Sequence, residues 1–209
     1  MTEILNIDCM EYMKGLPDKY FDIAIVDPQY GIEADKKNAH SSIRDNDNWA
    51  LKEWDKNPPP KEYFIELMRV SKNQIIWGGN YFLDYLPSTQ CFLIWNKPER
   101  NFSLADAEIA WTSFKKSIRV YDSPRNRGKR IHPTQKPIGL YKWIFEKFVE
   151  PGWKVLDTHL GSGSSAIVAE KLGFDFVGCE IDIDYYQKAK DRFNKEVDWG
   201  MFNVRTNDE

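Results

Sequence analysis

The chain has 209 residues, 42% of them hydrophobic and 29% charged, and a net charge of −3. That make-up suits one globular domain with a sizeable core, and no apolar run approaches the ~20 residues that span a bilayer. The opening MTEILNIDCM lacks the basic stretch and apolar core of a secretory leader.

In chain order, residues 3–7 read as a short strand and 9–15 as a helical stretch. Residues 21–26, FDIAIV, form an apolar run stopped by Asp27-Pro28, the pattern of a buried strand. Residues 31–58 are polar, rich in Asn and Asp, and end in three prolines; a loop this long in a compact chain is functional or disordered. Residues 61–70 have helical spacing, with Phe64, Leu67 and Met68 on one face. Strands are predicted at 74–77, 91–95 and 108–111, and residues 112–131 are basic and irregular. A regular series follows: helix 138–149 with Leu140, Ile144 and Phe148 inward, strand 154–157, helix 164–172, strand 174–179 and helix 183–195. Alternation of this kind predicts an α/β fold, a single doubly wound and mostly parallel sheet with right-handed crossovers.

Two places carry chemistry. Residues 155–166, VLDTHLGSGSSA, form a strand, a glycine-rich turn and a helix start, and nineteen residues after Gly161 stands Glu180 at the end of the next strand. Glycines let the backbone turn tightly and approach a ligand, and the carboxylate accepts ribose hydroxyls. The loop also fits a dinucleotide pattern, which would make the chain an NAD(P)-dependent oxidoreductase. Against that stand its place near the C-terminal end of the sequence, the acid Asp157 just before it, and a second motif that hydride transfer does not explain.

That second motif is Asp27-Pro28-Gln29-Tyr30. An exocyclic amino group on a base is a poor nucleophile because its lone pair is delocalised into the ring. Acceptors on its two protons, the Asp27 carboxylate and the Pro28 carbonyl, localise that pair. Proline fixes the turn, and the Tyr30 ring can stack on a base taken out of the duplex. Read without context, the four residues are equally a strand-ending turn.

These motifs resemble those of the bacterial amino-methyltransferases of DNA, which carry D/N/S-P-P-Y after a strand. The order of motifs resembles the beta class: catalytic turn first, target recognition in the middle, cofactor loop last. His132-Pro133-Thr134-Gln135-Lys136-Pro137 is similar to a motif those enzymes carry before the helix leading to the cofactor strand, and Ile7-Asp8-Cys9 with Leu16-Pro17-Asp18 is similar to their N-terminal segment. The resemblance implies a Rossmann-like methyltransferase fold with permuted motif order, over one domain: catalytic half 1–97, recognition segment about 98–131, cofactor half 132–196. It implies S-adenosylmethionine as cofactor and site-specific methylation of double-stranded DNA, in the manner of restriction–modification enzymes. Asp27, Pro28 and Tyr30 would be catalytic. Asp157, Gly161 and Gly163 would cradle the cofactor, with Glu180 on its ribose, Asp8 at its adenine amino group, and Thr134 and Lys136 near its methionine carboxylate. Asp8 also reads as a helix N-cap and Lys136 as a surface lysine. Asp at the first catalytic position favours adenine N6, with cytosine N4 the nearest rival; RNA as substrate and a non-catalytic DNA-binding relative stand further off. The family's second proline is Gln29 here, which loosens the turn.

Between Lys115 and Lys136 lie eight basic residues and one acid, +7 on a chain whose remainder carries −10. Arg119, Arg125, Arg127, Lys129 and Arg130 are therefore the candidate DNA contacts, against the alternative of a solvated loop. A recognition segment this small implies a short target sequence or help from a second protomer, a homodimer. Residues 77–82, WGGNYF, either line the base pocket or pack as core aromatics. His40, Trp49 and Trp54 lie in the long loop that could close over the base. Three widely spaced cysteines, Cys9, Cys91 and Cys179, point to a reducing cytoplasm, and no Cys/His spacing suggests a metal.

Overall fold

The structure, a computed structural model, describes residues 1–33, 55–100, 105–124 and 130–205, without the side chains beyond Asp198. Eight strands make one sheet: β1 (Thr2–Leu5), β2 (Phe21–Val26), β3 (Ser71–Trp77), β4 (Phe92–Asn96), β5 (Ala107–Thr112), β6 (Arg119–Asp122), β7 (Lys154–Asp157) and β8 (Asp175–Cys179). Their order is β1-β8-β7-β2-β3-β5-β4-β6. All neighbours pair in parallel except β5, which runs against β3 and β4. The expected doubly wound, mostly parallel sheet is therefore present.

Among the described residues five helices flank it: α1 (Cys9–Lys14), α2 (Lys61–Val70), α3 (Ile138–Phe148), α4 (Ser164–Lys171) and α5 (Ile183–Arg205). Strand alternation sorts side chains to two faces. Ile23, Ile25, Ile75 and Val155 pack with Leu140, Ile144, Phe148, Ala166 and Ala189 of α3, α4 and α5. Ala24, Val26, Ile76 and Leu156 pack with Met13 of α1 and Phe64 and Leu67 of α2. Where a strand is buried on both faces it reads as an unbroken apolar run, which is why FDIAIV was legible.

Two expectations change. The stretch 112–131 is not wholly irregular, because β6 adds to the edge of the sheet beside β4. Its Arg119, Val120 and Asp122 are exposed, so it lacks the burial pattern that reveals a strand. Helix α5 runs ten residues past the expected end at 195, passing through Gly200 to Arg205.

Topology positions the site. Strands β2 and β7 lie side by side, with Ile23 opposite Val155 and Ala24 opposite Leu156. From β7 the chain winds outward through α4 to β8, and from β2 it winds the other way to β3. The C-terminal ends of β2 and β7 thus meet at the switch point of the sheet, where open α/β folds bind ligands.

Candidate active site

A cavity of about 940 Å³ opens at that switch point. The β7 end supplies its cofactor-like wall. Gly161 and Gly163 take φ of +53° and +72°, a backbone conformation other residues adopt at a cost. Gly163 is the N-cap of α4, and a Cβ there would meet Ala189 of α5 at 3.4 Å. Glu180 reaches across from β8: its Oε2 accepts from Gly161 N at 2.9 Å and its Oε1 from Asp182 N at 2.9 Å. Each oxygen keeps a lone pair for a further donor on the cavity side. Burial raises this carboxyl above its ordinary range, partly offset by the two N–H groups. Beside it Ile181 stands 68% exposed on the cavity wall, an apolar surface suited to a flat ring. Nothing in the sequence singled it out, since an isolated isoleucine after a strand carries no pattern.

Asp157 does not line the cavity but braces the loop from behind. It accepts from His159 N at 3.0 Å and from Ser165 Oγ at 2.6 Å. Burial among these neutral partners pushes its carboxyl up to about 7. His159 closes a buried chain of Tyr63 Oη, Thr158 Oγ1 and its own Nδ1, and burial brings its imidazole down to about 4. Asp8 caps α1, accepting from Met10 N at 2.7 Å and Glu11 N at 3.4 Å, and also lines the cavity, so both of its expected roles are geometrically open. Thr134 lines it too, with its Oγ1 3.1 Å from His132 Nδ1.

The β2 end supplies the opposite wall with Asp27, Pro28, Gln29 and Tyr30. Gln29 cannot fix the turn as a second proline would. Asp55, which the sequence left inside a long loop, does so instead: it is buried, and its carboxylate accepts from the N–H groups of Tyr30 (2.7 Å), Gly31 (2.8 Å) and Ile32 (3.3 Å). Tyr30 Oη donates to Asp27 Oδ1 at 2.7 Å. A Cβ on Gly78 would lie 2.2, 2.5 and 2.7 Å from Cε1, Cδ1 and Cζ of Tyr30, distances that put the Gly78 backbone over the face of that ring. Tyr81 stacks on the same ring with centroids 5.0 Å apart. Residues 77–82 divide between core and cavity wall. Trp77 and Phe82 are core, whereas Tyr81 lines the cavity and Gly78 makes room for Tyr30.

Lys136 is not at the surface. Its ammonium lies 2.6 Å from Asp27 Oδ2 and 3.1 Å from Glu108 Oε2, and Lys97 pairs with the other oxygen of Glu108. The expectation that it faces a methionine carboxylate therefore meets an ammonium already engaged by Asp27 of the Asp-Pro turn. Burial opposes the charge on Glu108, yet Lys136 and Lys97 hold its carboxyl down at about 2. Burial raises Asp27 above its ordinary value, and Lys136 offsets this only in part.

Of the expected DNA contacts, Arg130 lines the cavity and Arg119 is exposed on the edge strand β6, while Arg125, Arg127 and Lys129 lie outside the described residues, as do His40, Trp49 and Trp54. Strands β5 and β6 place the middle of segment 98–131 in the sheet, and its flanks reach the cavity at Ala105 and Arg130. Among the described residues no helix is long and apolar enough to cross a membrane, and no group of three or more His, Cys, Asp or Glu side chains is placed to hold a metal ion.

A glycine-cradled ligand site and an Asp-Pro turn at adjacent strand ends define a group-transfer enzyme that uses a nucleotide-like cofactor. The sequence model of the N6_N4_Mtase family, described as DNA methylase, matches residues 34–191, and the chain belongs to this family of DNA methyltransferases. The chain is 24% identical to the type II methyltransferase M1.MboII of Moraxella bovis, across 90% of this chain and 95% of that one. Its fold matches the crystal structure of the M1.HpyAVI–SAM complex with a TM-score of 0.61 at 22% identity, covering 92% of this chain and 100% of the other. It also matches the cytosine-N4-specific PvuII DNA methyltransferase with a TM-score of 0.63 at 12% identity, covering 94% and 90%. The family uses S-adenosylmethionine, and the groups present suit that cofactor: positive-φ glycines for close approach, a two-oxygen acceptor at Glu180 for ribose hydroxyls, and Ile181 for the adenine face.

Proposed function

We propose that this enzyme methylates N6 of adenine in double-stranded DNA, at a specific sequence, in the manner of a modification enzyme acting in the cytoplasm. The observation that carries the reading is the Asp27 carboxylate at the end of β2, adjacent to the cofactor loop at the end of β7. The chain acts as one methyltransferase domain: catalytic residues in 1–97, target recognition by segment 98–131, cofactor binding in 132–196. The base leaves the duplex and enters the cavity beside Tyr30 and Tyr81, and Arg119, Arg125, Arg127, Lys129 and Arg130 hold the phosphates around it. Its amino protons meet the Asp27 carboxylate and the Pro28 carbonyl, which localise the nitrogen lone pair. S-adenosylmethionine supplies a methyl carbon activated by its sulfonium. Glu180, Ile181, Asp8 and the glycine loop hold the cofactor, with Thr134 close by. With the cofactor bound, the nitrogen pair would form the new N–C bond as the C–S pair stays with sulfur, and Asp27 would take the hydrogen bond of the amino proton that is finally lost to water. The protein's contribution is orientation and electrostatics. Asp, rather than the Ser associated with cytosine N4, supports adenine.

The test is incubation with unmethylated duplex DNA and methyl-deuterated S-adenosylmethionine, followed by mass spectrometry of the nucleosides. Labelled N6-methyladenine, lost in Asp27→Ala, is the expected result. Labelled N4-methylcytosine would overturn the base assignment, and label found only when RNA replaces DNA would overturn the substrate. Light scattering of the enzyme with and without its DNA reads whether a second protomer joins.

A further inference from the structure

Lys136 is the most deeply buried cation of the site, its side chain 2% exposed, and its environment is unusual in being made from both halves of the enzyme. A buried ammonium persists only where carboxylates and hydrogen bonds replace its water. Here its three donors meet Asp27 Oδ2 at 2.6 Å, Glu108 Oε2 at 3.1 Å and Tyr30 Oη at 3.3 Å. Glu108 is itself gripped by Lys97, so the charges alternate along Asp27, Lys136, Glu108 and Lys97. The backbone of Lys136 points the other way. Its carbonyl accepts from Ser164 Oγ at 2.9 Å, at the first residue of α4 beyond the cofactor loop, and Arg192 of α5 donates to the same Oγ at 2.9 Å. One residue thus joins the acceptor turn of β2 to the glycine loop of β7.

We propose that Lys136 is a positioning residue for methyl transfer: it fixes the rotation of the Asp27 carboxylate and its distance from the cofactor loop, with Glu108 and Lys97 as the anchor behind it. Both Asp27 oxygens are then held, Oδ2 by Lys136 and Oδ1 by Tyr30 Oη, and each keeps a lone pair for a base N–H. Lys136 neither gains nor loses a proton in the reaction. Lys136 favours the anionic form of Asp27 against its burial, and Glu108, by sharing the same ammonium, keeps that carboxylate a stronger acceptor than Lys136 alone would leave it. The inference rests on the reading of Asp27 as the acceptor of the amino protons.

The groups facing Asp27 are Lys136, Glu108 and Tyr30, with Asp157 and Tyr141 acting through space. Removing Lys136 removes the cation that lowers the Asp27 carboxyl, so the acid limb of the rate profile must move to higher pH. Removing the charge of Glu108 must move it to lower pH. Loss of packing alone moves neither.

The experiment measures single-turnover methyl transfer against pH, and S-adenosylmethionine affinity by calorimetry, for wild type, Lys136→Met, Lys136→Arg and Glu108→Gln. Lys136→Met is expected to slow transfer by about 100-fold, the scale of losing one preorganised electrostatic contact, with cofactor affinity unchanged. Lys136→Arg, which keeps the charge, restores part of that rate. Glu108→Gln slows transfer less and shifts the acid limb down. A Lys136→Met enzyme with wild-type rate and weakened cofactor binding would overturn the proposal in favour of a methionine-carboxylate contact. Slow variants whose acid limbs all stay in place would overturn it in favour of plain packing. If Lys136→Met does not fold, the direction of the Glu108→Gln shift and the Lys136→Arg rate decide between the same outcomes. A wild-type enzyme that labels cytosine would sink the adenine reading and leave this comparison standing, since the rates are then read on the labelled base.

Discussion

At the end of β7 the ligand-facing groups come from nearly continuous chain: strand, glycine loop and helix start, with Glu180 following at the end of the very next strand. At the end of β2 the proposed catalytic turn is short, and what holds it arrives from elsewhere. Asp55 binds its backbone, Gly78 lies on its tyrosine, and Lys136 comes from more than a hundred residues away to pair with its carboxylate. The first wall is built from backbone geometry that local sequence dictates. The second is an assembly of side chains whose positions depend on one another. Binding should therefore follow the first wall and rate the second.

The sharpest separation sets Glu180→Ala against Asp55→Ala. Glu180→Ala removes the proposed ribose acceptor and leaves the Gly161 and Asp182 N–H groups without theirs, and a charge-assisted hydrogen bond contributes about 1.5–3 kcal/mol. Cofactor affinity by calorimetry should fall by about tenfold to 100-fold, while the transfer rate at saturating cofactor changes little. If rate falls and affinity holds, the two walls do not divide the labour in this way. Asp55→Ala should do the reverse. The N–H groups of Tyr30, Gly31 and Ile32 lose their common acceptor, the proposed catalytic turn gains freedom that Gln29 cannot restrain, and transfer should slow about tenfold with cofactor affinity preserved. The counterpart Gln29→Pro, made in the Asp55→Ala background, should recover part of the rate if rigidity is what was lost.

Gly78→Ala tests the aromatic side of the same wall with a smaller effect. At φ of +70° an added Cβ costs about 1–2 kcal/mol in backbone strain, and it would overlap the Tyr30 ring. The melting temperature should fall by a few degrees and the KM for DNA should rise as Tyr30 is displaced, with cofactor affinity unchanged. An unchanged KM for DNA would mean that the Tyr30 ring is not part of the base-binding surface.

The same division explains what the sequence disclosed. Residues 155–166 and 21–30 each announce a strand and its ligand loop in consecutive letters, and the resemblance to a known class rested on such stretches. Lys136 was noticed through its motif, but its partner was not, because Glu108 and Lys97 are brought to it by β5 running antiparallel between β3 and β4. Asp55 sits among many polar residues with no period to mark it. β6 stayed hidden because an edge strand with exposed Arg119, Val120 and Asp122 lacks the alternation that reveals a half-buried one. Local pattern carries the fold and the cofactor wall, while long-range pairing carries the electrostatics of the catalytic wall.

The two aspartates at the adjoining strand ends give the finest test of the contrast. Asp27 has a cation beside it; Asp157 has only a serine, a backbone N–H and dry surroundings, and burial takes it from 3.8 to about 7. Between those values the folded enzyme holds a proton on Asp157 that the unfolded chain releases. The stability it contributes is therefore full below about pH 4 and is lost as pH rises through 7. His159, brought down to about 4, acts in the opposite sense, since the unfolded chain binds the extra proton between 4 and 6.5 and stability recovers as pH rises through that range. The two slopes offset each other in the wild type, so the melting temperature alone conceals both. Asp157→Asn removes the Asp157 slope and leaves the others, so the variant should gain on the wild type steadily from pH 4 to pH 7 and then run parallel to it. A difference that stays flat across this range would show Asp157 ionised throughout, and the cofactor wall would then be as charged as the catalytic one.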